Sequence, residues 1–134
     1  MEITLNHTIV PAHDRLESAR WYARIFGFEF VKEWGHFAVV KVNSTLTLDF
    51  MNTEDEFAFH HYAFKVNDQE FDEIFGRVKA ENIEFCSTPY AAVTNKFDGK
   101  INHNDGGRGV YFKDANGHIL EILTVDYDLD KDLT

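Results

Sequence analysis

The alternation of apolar and polar positions predicts five elements in the first half of the chain, in the order β-α-β-β-β. Residues 3–11 are β-branched and apolar on both faces, which is typical of a strand covered on both sides, and Pro11 ends it. Asp14 and Glu17 have the spacing of a capping box, and apolar residues at helical spacing then continue to Gly27. Short strand-like runs follow at residues 28–33, 36–42 and 45–51.

The same order of elements recurs in the second half. Residues 59–66 predict a strand, and residues 67–70 begin a helix whose apolar stripe extends towards Asn82. Residues 87–106 are predicted to be a long polar loop, and the acidic tail 126–134 is predicted to be solvated or frayed. The remaining strands are predicted at residues 83–86, 109–113 and 118–125.

The two halves are related as an internal repeat. His7 lies seven residues before Asp14, and His61 lies seven residues before Asp68. The repeat therefore predicts an α+β protein built from two βαβββ modules, at about residues 3–52 and 57–125 of a single domain of 134 residues. The loop at 87–106 is then an insertion in the second copy.

The repeat also selects four polar residues. His7 and His61 become equivalent on the first strands of the two modules, and Asp49 and Glu121 become equivalent on the last strands. Glu121 lies between apolar neighbours, where a carboxylate is costly unless it is paired or bound to a metal.

Composition excludes several classes of protein. The net charge of −10 argues against binding to nucleic acid driven by charge. The lone Cys86 excludes an internal disulfide and a cysteine-based zinc cage. Without an apolar run of about 18 residues or a signal peptide, the expectation is a cytoplasmic protein with no membrane partner.

Three segments resemble the vicinal oxygen chelate superfamily, which includes glyoxalases, bleomycin-resistance proteins and extradiol dioxygenases. They are Leu5–Val10, His61–Val66 and the run from Gly106 to Ile122. The last is the most specific, and it departs from the family pattern only at Ala115, where proline is usual. The resemblance spans about residues 3–125.

The resemblance implies a fold and a metal site. In this family the two modules form paired half-barrels (the glyoxalase/bleomycin resistance/dihydroxybiphenyl dioxygenase fold), and the matching residues imply His7, His61 and Glu121 as ligands of a divalent metal ion. Fe, Mn, Ni, Zn and Co all remain open as the metal. Asp49 takes the fourth place, either as a ligand or as a group that transfers protons, so that Asp49 and Glu121 are the candidate catalytic residues.

Two functions from different classes remain. The first is a metal-dependent enzyme, a glyoxalase-like lyase or isomerase or a dioxygenase, whose metal chelates vicinal oxygens of a small-molecule substrate. The alternative is a metal-free protein of the bleomycin-resistance type that sequesters a toxic or antibiotic ligand. The resemblance also favours a homodimer, and the modules could pair within one chain or by exchange between chains.

Several other residues receive weaker assignments. His60 is expected to point away from the face of His61, and His118 is expected to pack within a turn. Arg108 could hold an anionic substrate or form a structural salt bridge. Tyr111 is expected to be a core aromatic that faces a helix. The loop at 87–106 could be a lid, with Asn102 and Asn104 as polar contacts, or an ordinary surface insertion.

Overall fold

The structure is a computed structural model, and it describes residues 1–131. The chain divides into two compact units, which we call module 1 (residues 1–60) and module 2 (residues 61–134). Each has the element order β-α-β-β-β, with additional short helical segments in module 2. The predicted α+β class with two βαβββ modules is therefore confirmed.

Module 1 forms one four-stranded sheet with the order β1-β4-β3-β2. Its helix begins after Asp14, whose carboxylate accepts a hydrogen bond from the Glu17 N–H, and ends at Gly27, which has the left-handed φ of 79°. The helix buries Tyr22 and Ile25. The elements are β1 (His7–Ala12), α1 (Arg15–Phe26), β2 (Glu29–Trp34), β3 (Phe37–Lys41) and β4 (Thr47–Asn52).

Strand β1 differs from its prediction in extent and in burial. It continues past Pro11 to Ala12, because β1 is an edge strand and an edge position tolerates a residue that has no N–H. Only one face of β1 is buried: Val10 is inaccessible to solvent, whereas Ile9 is 44% exposed. The prediction of a strand covered on both sides was therefore wrong.

Module 2 repeats the sheet order as β5-β8-β7-β6. Its first helix has a complete capping box, in which Asn67 and Glu70 each accept a hydrogen bond from the backbone N–H of the other. The elements are β5 (His61–Lys65), α2 (Asp68–Ala80), β6 (Phe85–Cys86), α3 (Pro89–Val93), β7 (Gly109–Lys113) and β8 (Ile119–Leu123).

The insertion at residues 87–106 is more ordered than a polar loop. Thr88 caps the short helix α3, Pro89 occupies its first turn, and a 3₁₀ turn follows at Asn104–Gly106. The buried Ala92 of α3 packs in one cluster with Cys86 and Tyr111 of the sheet. The prediction of a long loop missed this helix because five residues are too few to show helical periodicity.

The turn between β7 and β8 is fixed by one buried carboxylate. Asp114 accepts hydrogen bonds from the backbone N–H groups of Asn116 (2.9 Å) and His118 (2.8 Å). Gly117 adopts a φ of 87°, which a residue with a side chain rarely takes. His118 is fully buried with its ring edge-to-face against Tyr62, as expected for a residue that packs within the turn. The turn sets the start of β8, on which Glu121 lies.

Candidate metal-binding site

The first and last strands of each module pair in parallel, and both pairs have the same register. His7 lies opposite Thr47, two positions before Asp49, and His61 lies opposite Ile119, two positions before Glu121. A histidine and a carboxylate therefore occupy the same relative positions on the same face of each sheet. The equivalence predicted from the sequence repeat is present in the strand pairing.

In module 2 the two side chains are in direct contact. The Nε2 atom of His61 lies 3.1 Å from Oε1 of Glu121. The Glu121 side chain is almost completely buried, with 3% of its surface exposed, whereas the His61 side chain is 40% exposed. The pair is thus a buried carboxylate whose imidazole partner reaches solvent.

In module 1 the equivalent pair lines a cavity of about 260 Å³. Asp49 is buried at 7% exposure and accepts a hydrogen bond of 2.9 Å from the Thr47 hydroxyl. The His7 Nδ1 atom lies 2.7 Å from Oδ1 of Asn6. Because an amide oxygen only accepts hydrogen bonds, Nδ1 carries the proton, and in the neutral ring Nε2 retains its lone pair. Trp34, the last residue of β2, also lines this cavity.

The donor groups of both pairs suit a divalent metal ion in chemistry, and the pair in module 2 also suits one in spacing. Two adjacent ligands at about 2.1 Å and at right angles to each other have donor atoms about 3.0 Å apart, close to the 3.1 Å between His61 and Glu121. Imidazole and carboxylate suit first-row divalent metals. Each module supplies two such donors; within residues 1–131, no group of three His, Cys, Asp or Glu side chains is arranged to hold a metal ion.

Tyr111 is buried and packs with Ala92 of helix α3, as expected of a core aromatic that faces a helix, but its position also brings it to the candidate site. It lies directly opposite Glu121 in the ladder between β7 and β8, so its side chain shares the face of Glu121. Its ring packs edge-to-face against His61 with centroids 6.0 Å apart. Burial raises the pKa of the Tyr111 phenol well above its usual range, and the hydrogen bond with Tyr127 raises it further. Strand parity with Glu121 is the signal in the sequence that would have located this residue.

The tail is not freely solvated over its described part. The Tyr127 hydroxyl donates a hydrogen bond to Oε2 of Glu121 and lies 2.9 Å from the Tyr111 hydroxyl. Burial is the main reason that the pKa of Tyr127 is raised, and the hydrogen bond to Glu121 raises it further. The sequence does not single out Tyr127, because the alternating acidic and apolar residues around it are typical of a frayed end. The last part of the predicted tail, residues 132–134, lies outside the described residues.

Arg108 forms salt bridges within module 2. Its guanidinium lies 2.7 Å from a carboxylate oxygen of Asp72 and 3.0 Å from one of Asp68, and it lies over the ring of Phe71 at 4.3 Å. The hydrogen bond that its guanidinium donates to the Asp72 carboxylate is the main reason that the pKa of Arg108 is raised. Of the two predicted roles, the structure favours the salt bridge.

The inserted segment contacts the face that carries Glu121. The cluster of Cys86, Tyr111 and Ile119 lies on that face, and Ala92 and Phe97 of the insertion pack against it. Asn102 is used structurally: its amide donates to the Ser87 carbonyl, and its backbone pairs with Gly109. The insertion is therefore a packed part of module 2, and Asn102 is a structural residue.

The family of the chain follows from comparison with known proteins. A family model described as the Glyoxalase/Bleomycin resistance protein/Dioxygenase superfamily matches residues 4–122. The chain therefore belongs to this superfamily, as its fold and its histidine and carboxylate pairs indicated. None of the curated proteins matches the chain at a significant level.

Several solved structures are similar to the chain. A structure named "Oxidase ChaP-H2" is 45% identical, covers 95% of this chain and 97% of its own, and has a TM-score of 0.88. A second, "Oxidase ChaP-H1", is 47% identical over 92% of this chain and 97% of its own, with a TM-score of 0.83. The fosfomycin resistance protein FosX of Mesorhizobium loti shares the fold at 21% identity, over 94% of each chain and with a TM-score of 0.65.

The helices of residues 1–131 are too short or too polar to cross a membrane.

Proposed function

We propose that this protein is a metal-dependent enzyme that oxidises a small molecule carrying two neighbouring oxygen atoms, with molecular oxygen as the oxidant. The observation that carries the proposal is the contact between His61 and Glu121 at 3.1 Å, on a strand pair whose register is repeated by His7 and Asp49. The identity of 45–47% to two proteins named oxidases favours oxidation over lyase or isomerase chemistry.

In this proposal the ligands are His7, His61 and Glu121, with His7 supplied by module 1 of the same chain or of a second copy. The bound metal would hold the two substrate oxygens and withdraw electron density from them. His7 and His61 bind it as neutral rings, and the Asn6 contact already selects the required tautomer of His7. The buried Glu121 supplies negative charge where solvent is excluded.

Metal analysis of protein purified without chelator tests the ligand set. We expect about one equivalent of a divalent first-row metal per chain, with large losses in His7→Ala, His61→Ala and Glu121→Gln. His60→Ala is the matched control, because it removes the neighbouring imidazole and is expected to retain the metal. If the three variants keep the metal content of the wild type, the proposed site is wrong; if the wild type binds small cationic compounds but no metal, the sequestering function replaces it.

Asp49 has two possible roles, and one variant separates them. Asp49 is buried beside the cavity that His7 lines, and Thr47 holds its carboxylate. If Asp49 is a ligand, Asp49→Asn lowers the metal content. If it transfers protons, the variant keeps its metal, and the turnover number falls about 100-fold or more.

A further inference from the structure

The described end of the chain is held to module 2 by polar contacts, and we call residues 126–131 the C-terminal strap. Lys65 forms a salt bridge of 3.0 Å with Asp126 at the start of the strap. Asp105 anchors its far end: it pairs with Lys131 and accepts a hydrogen bond of 3.2 Å from the Asp128 N–H. The strap therefore has a defined course between two fixed points.

Burial of aliphatic surface does not explain this course. Leu129, the one aliphatic residue of the strap, is 91% exposed. A tail that docked only for stability would be expected to bury such a residue. Instead, the side chain that points into module 2 is Tyr127, which contacts polar groups.

Tyr127 completes the hydrogen bonding of the Glu121 carboxylate. Oε1 of Glu121 faces His61, and Oε2 accepts the hydrogen bond from Tyr127. Since the one hydroxyl hydrogen of Tyr127 is used in this bond, Tyr111 is the donor in the contact between the two phenols. Tyr111 lies on β7 directly opposite Glu121 on β8, so the hydrogen bonds from Tyr111 to Tyr127 and from Tyr127 to Glu121 join the strap to two neighbouring strands of the sheet.

We propose that Tyr127 is a positioning residue of the metal site, which holds Oε2 of Glu121 so that Oε1 stays directed at His61 and free to bind the metal. This inference rests on the proposed function, in which Glu121 is a ligand. A carboxylate restrained through one oxygen presents the other to a metal as a single donor, and loss of such a restraint typically lowers metal affinity about 10- to 100-fold.

The test measures the affinity of the wild-type protein and its variants for Mn²⁺ alone. The electron paramagnetic resonance signal of the free ion gives the concentration of unbound Mn²⁺ in each titration. Tyr127→Phe removes only the hydroxyl, and we expect it to weaken Mn²⁺ binding about 10- to 100-fold. Asp105→Asn loosens the far anchor without touching the site, and we expect a smaller loss in the same direction. Tyr90→Phe is the matched control, because Tyr90 is 72% exposed, and its affinity should equal that of the wild type.

A spectroscopic readout separates positioning from a general effect on folding. The visible absorption of the Co²⁺-loaded protein reports the ligands around the metal, and Tyr127→Phe should shift it while the thermal unfolding midpoint changes little. If Tyr127→Phe binds Mn²⁺ within twofold of the wild type and leaves the Co²⁺ spectrum unchanged, the inference is wrong and the proposed function stands. If the wild type itself binds neither metal, both are overturned.

Discussion

The backbone of Gly107 passes so close to Val125 that a Cβ atom at position 107 would lie 2.7 Å from Cγ2 and 2.8 Å from Cβ of the valine. Contacts this short do not occur between real carbon atoms, and the branched Val125 side chain cannot move its Cβ without moving the backbone. The close approach explains physically why a glycine precedes Arg108 at this point of the family motif.

Gly107→Ala is expected to destabilise the protein by about 1–3 kcal/mol, because the new methyl group forces the segments apart. The matched control is Gly76→Ala, where a Cβ would meet nothing within 4 Å. Gly76 lies within α2, so the control should instead stabilise by up to about 1 kcal/mol. Chemical denaturation of both variants measures the difference, and equal stabilities would show that the close approach is absent in solution.

Because the pKa of Tyr111 is raised by burial, we expect the protein to lose stability at alkaline pH. The pKa of this phenol in the folded protein is raised above the unfolded value of about 10. The stabilisation that the neutral phenol gives the folded state is therefore complete below about pH 10 and is lost as the pH rises further. A single group of this kind changes the free energy of unfolding by up to about 1.4 kcal/mol per pH unit.

We expect Tyr111→Phe to flatten this decline between pH 9.5 and about 11.5, the range above the ordinary phenol pKa. The measurement is the free energy of unfolding at a series of pH values in metal-free protein. Tyr90→Phe, at an exposed position, should leave the decline unchanged. Parallel curves for the wild type and Tyr111→Phe would contradict the burial of this phenol.

Cys86 should be a poor nucleophile in the folded protein. Its thiol is fully buried and donates a hydrogen bond to the Thr88 carbonyl, and burial raises its pKa. Since the thiolate is the reactive form, alkylation by iodoacetamide at pH 8 should be at least roughly 10-fold slower than in the urea-unfolded chain. Equal rates in the two states would mean that β6 and α3 open readily.

Arg108 should contribute to stability through its acidic partners on α2. A double-mutant cycle with Arg108→Ala and Asp72→Ala measures the coupling, which we expect at about 0.5–1 kcal/mol because both side chains are partly exposed. Additive effects of the two substitutions would show that the salt bridge contributes nothing. A large coupling to substrate affinity instead of stability would restore the role of Arg108 as an anion clamp.

The sequence was informative where the repeat constrained it. The equivalence of His7 with His61 and of Asp49 with Glu121 follows from strand order and spacing, and the observed registers repeat it. These relationships depend on local periodicity and turn residues, which a sequence displays directly.

Contacts between segments that are distant in the chain could not be predicted from the sequence in the same way. Tyr127 reaches Glu121 because Lys65 and Asp105 hold the strap, and nothing in the spacing of these residues indicates that they meet. Helix α3 depends on Thr88 and on packing against Cys86 more than on any periodic pattern. Both features are tertiary, and their local sequences alone favour loop or tail.

The anchors of the C-terminal strap also bear on how the protein should be handled. The Lys65 and Asp126 side chains are 57% and 79% exposed, so dissolved ions weaken their attraction increasingly as the ionic strength rises. As salt rises, the strap is held less firmly, and Tyr127 spends less time on Glu121. Salt concentration thus becomes a variable in any titration of this site, and affinities should be compared only between measurements made at the same ionic strength.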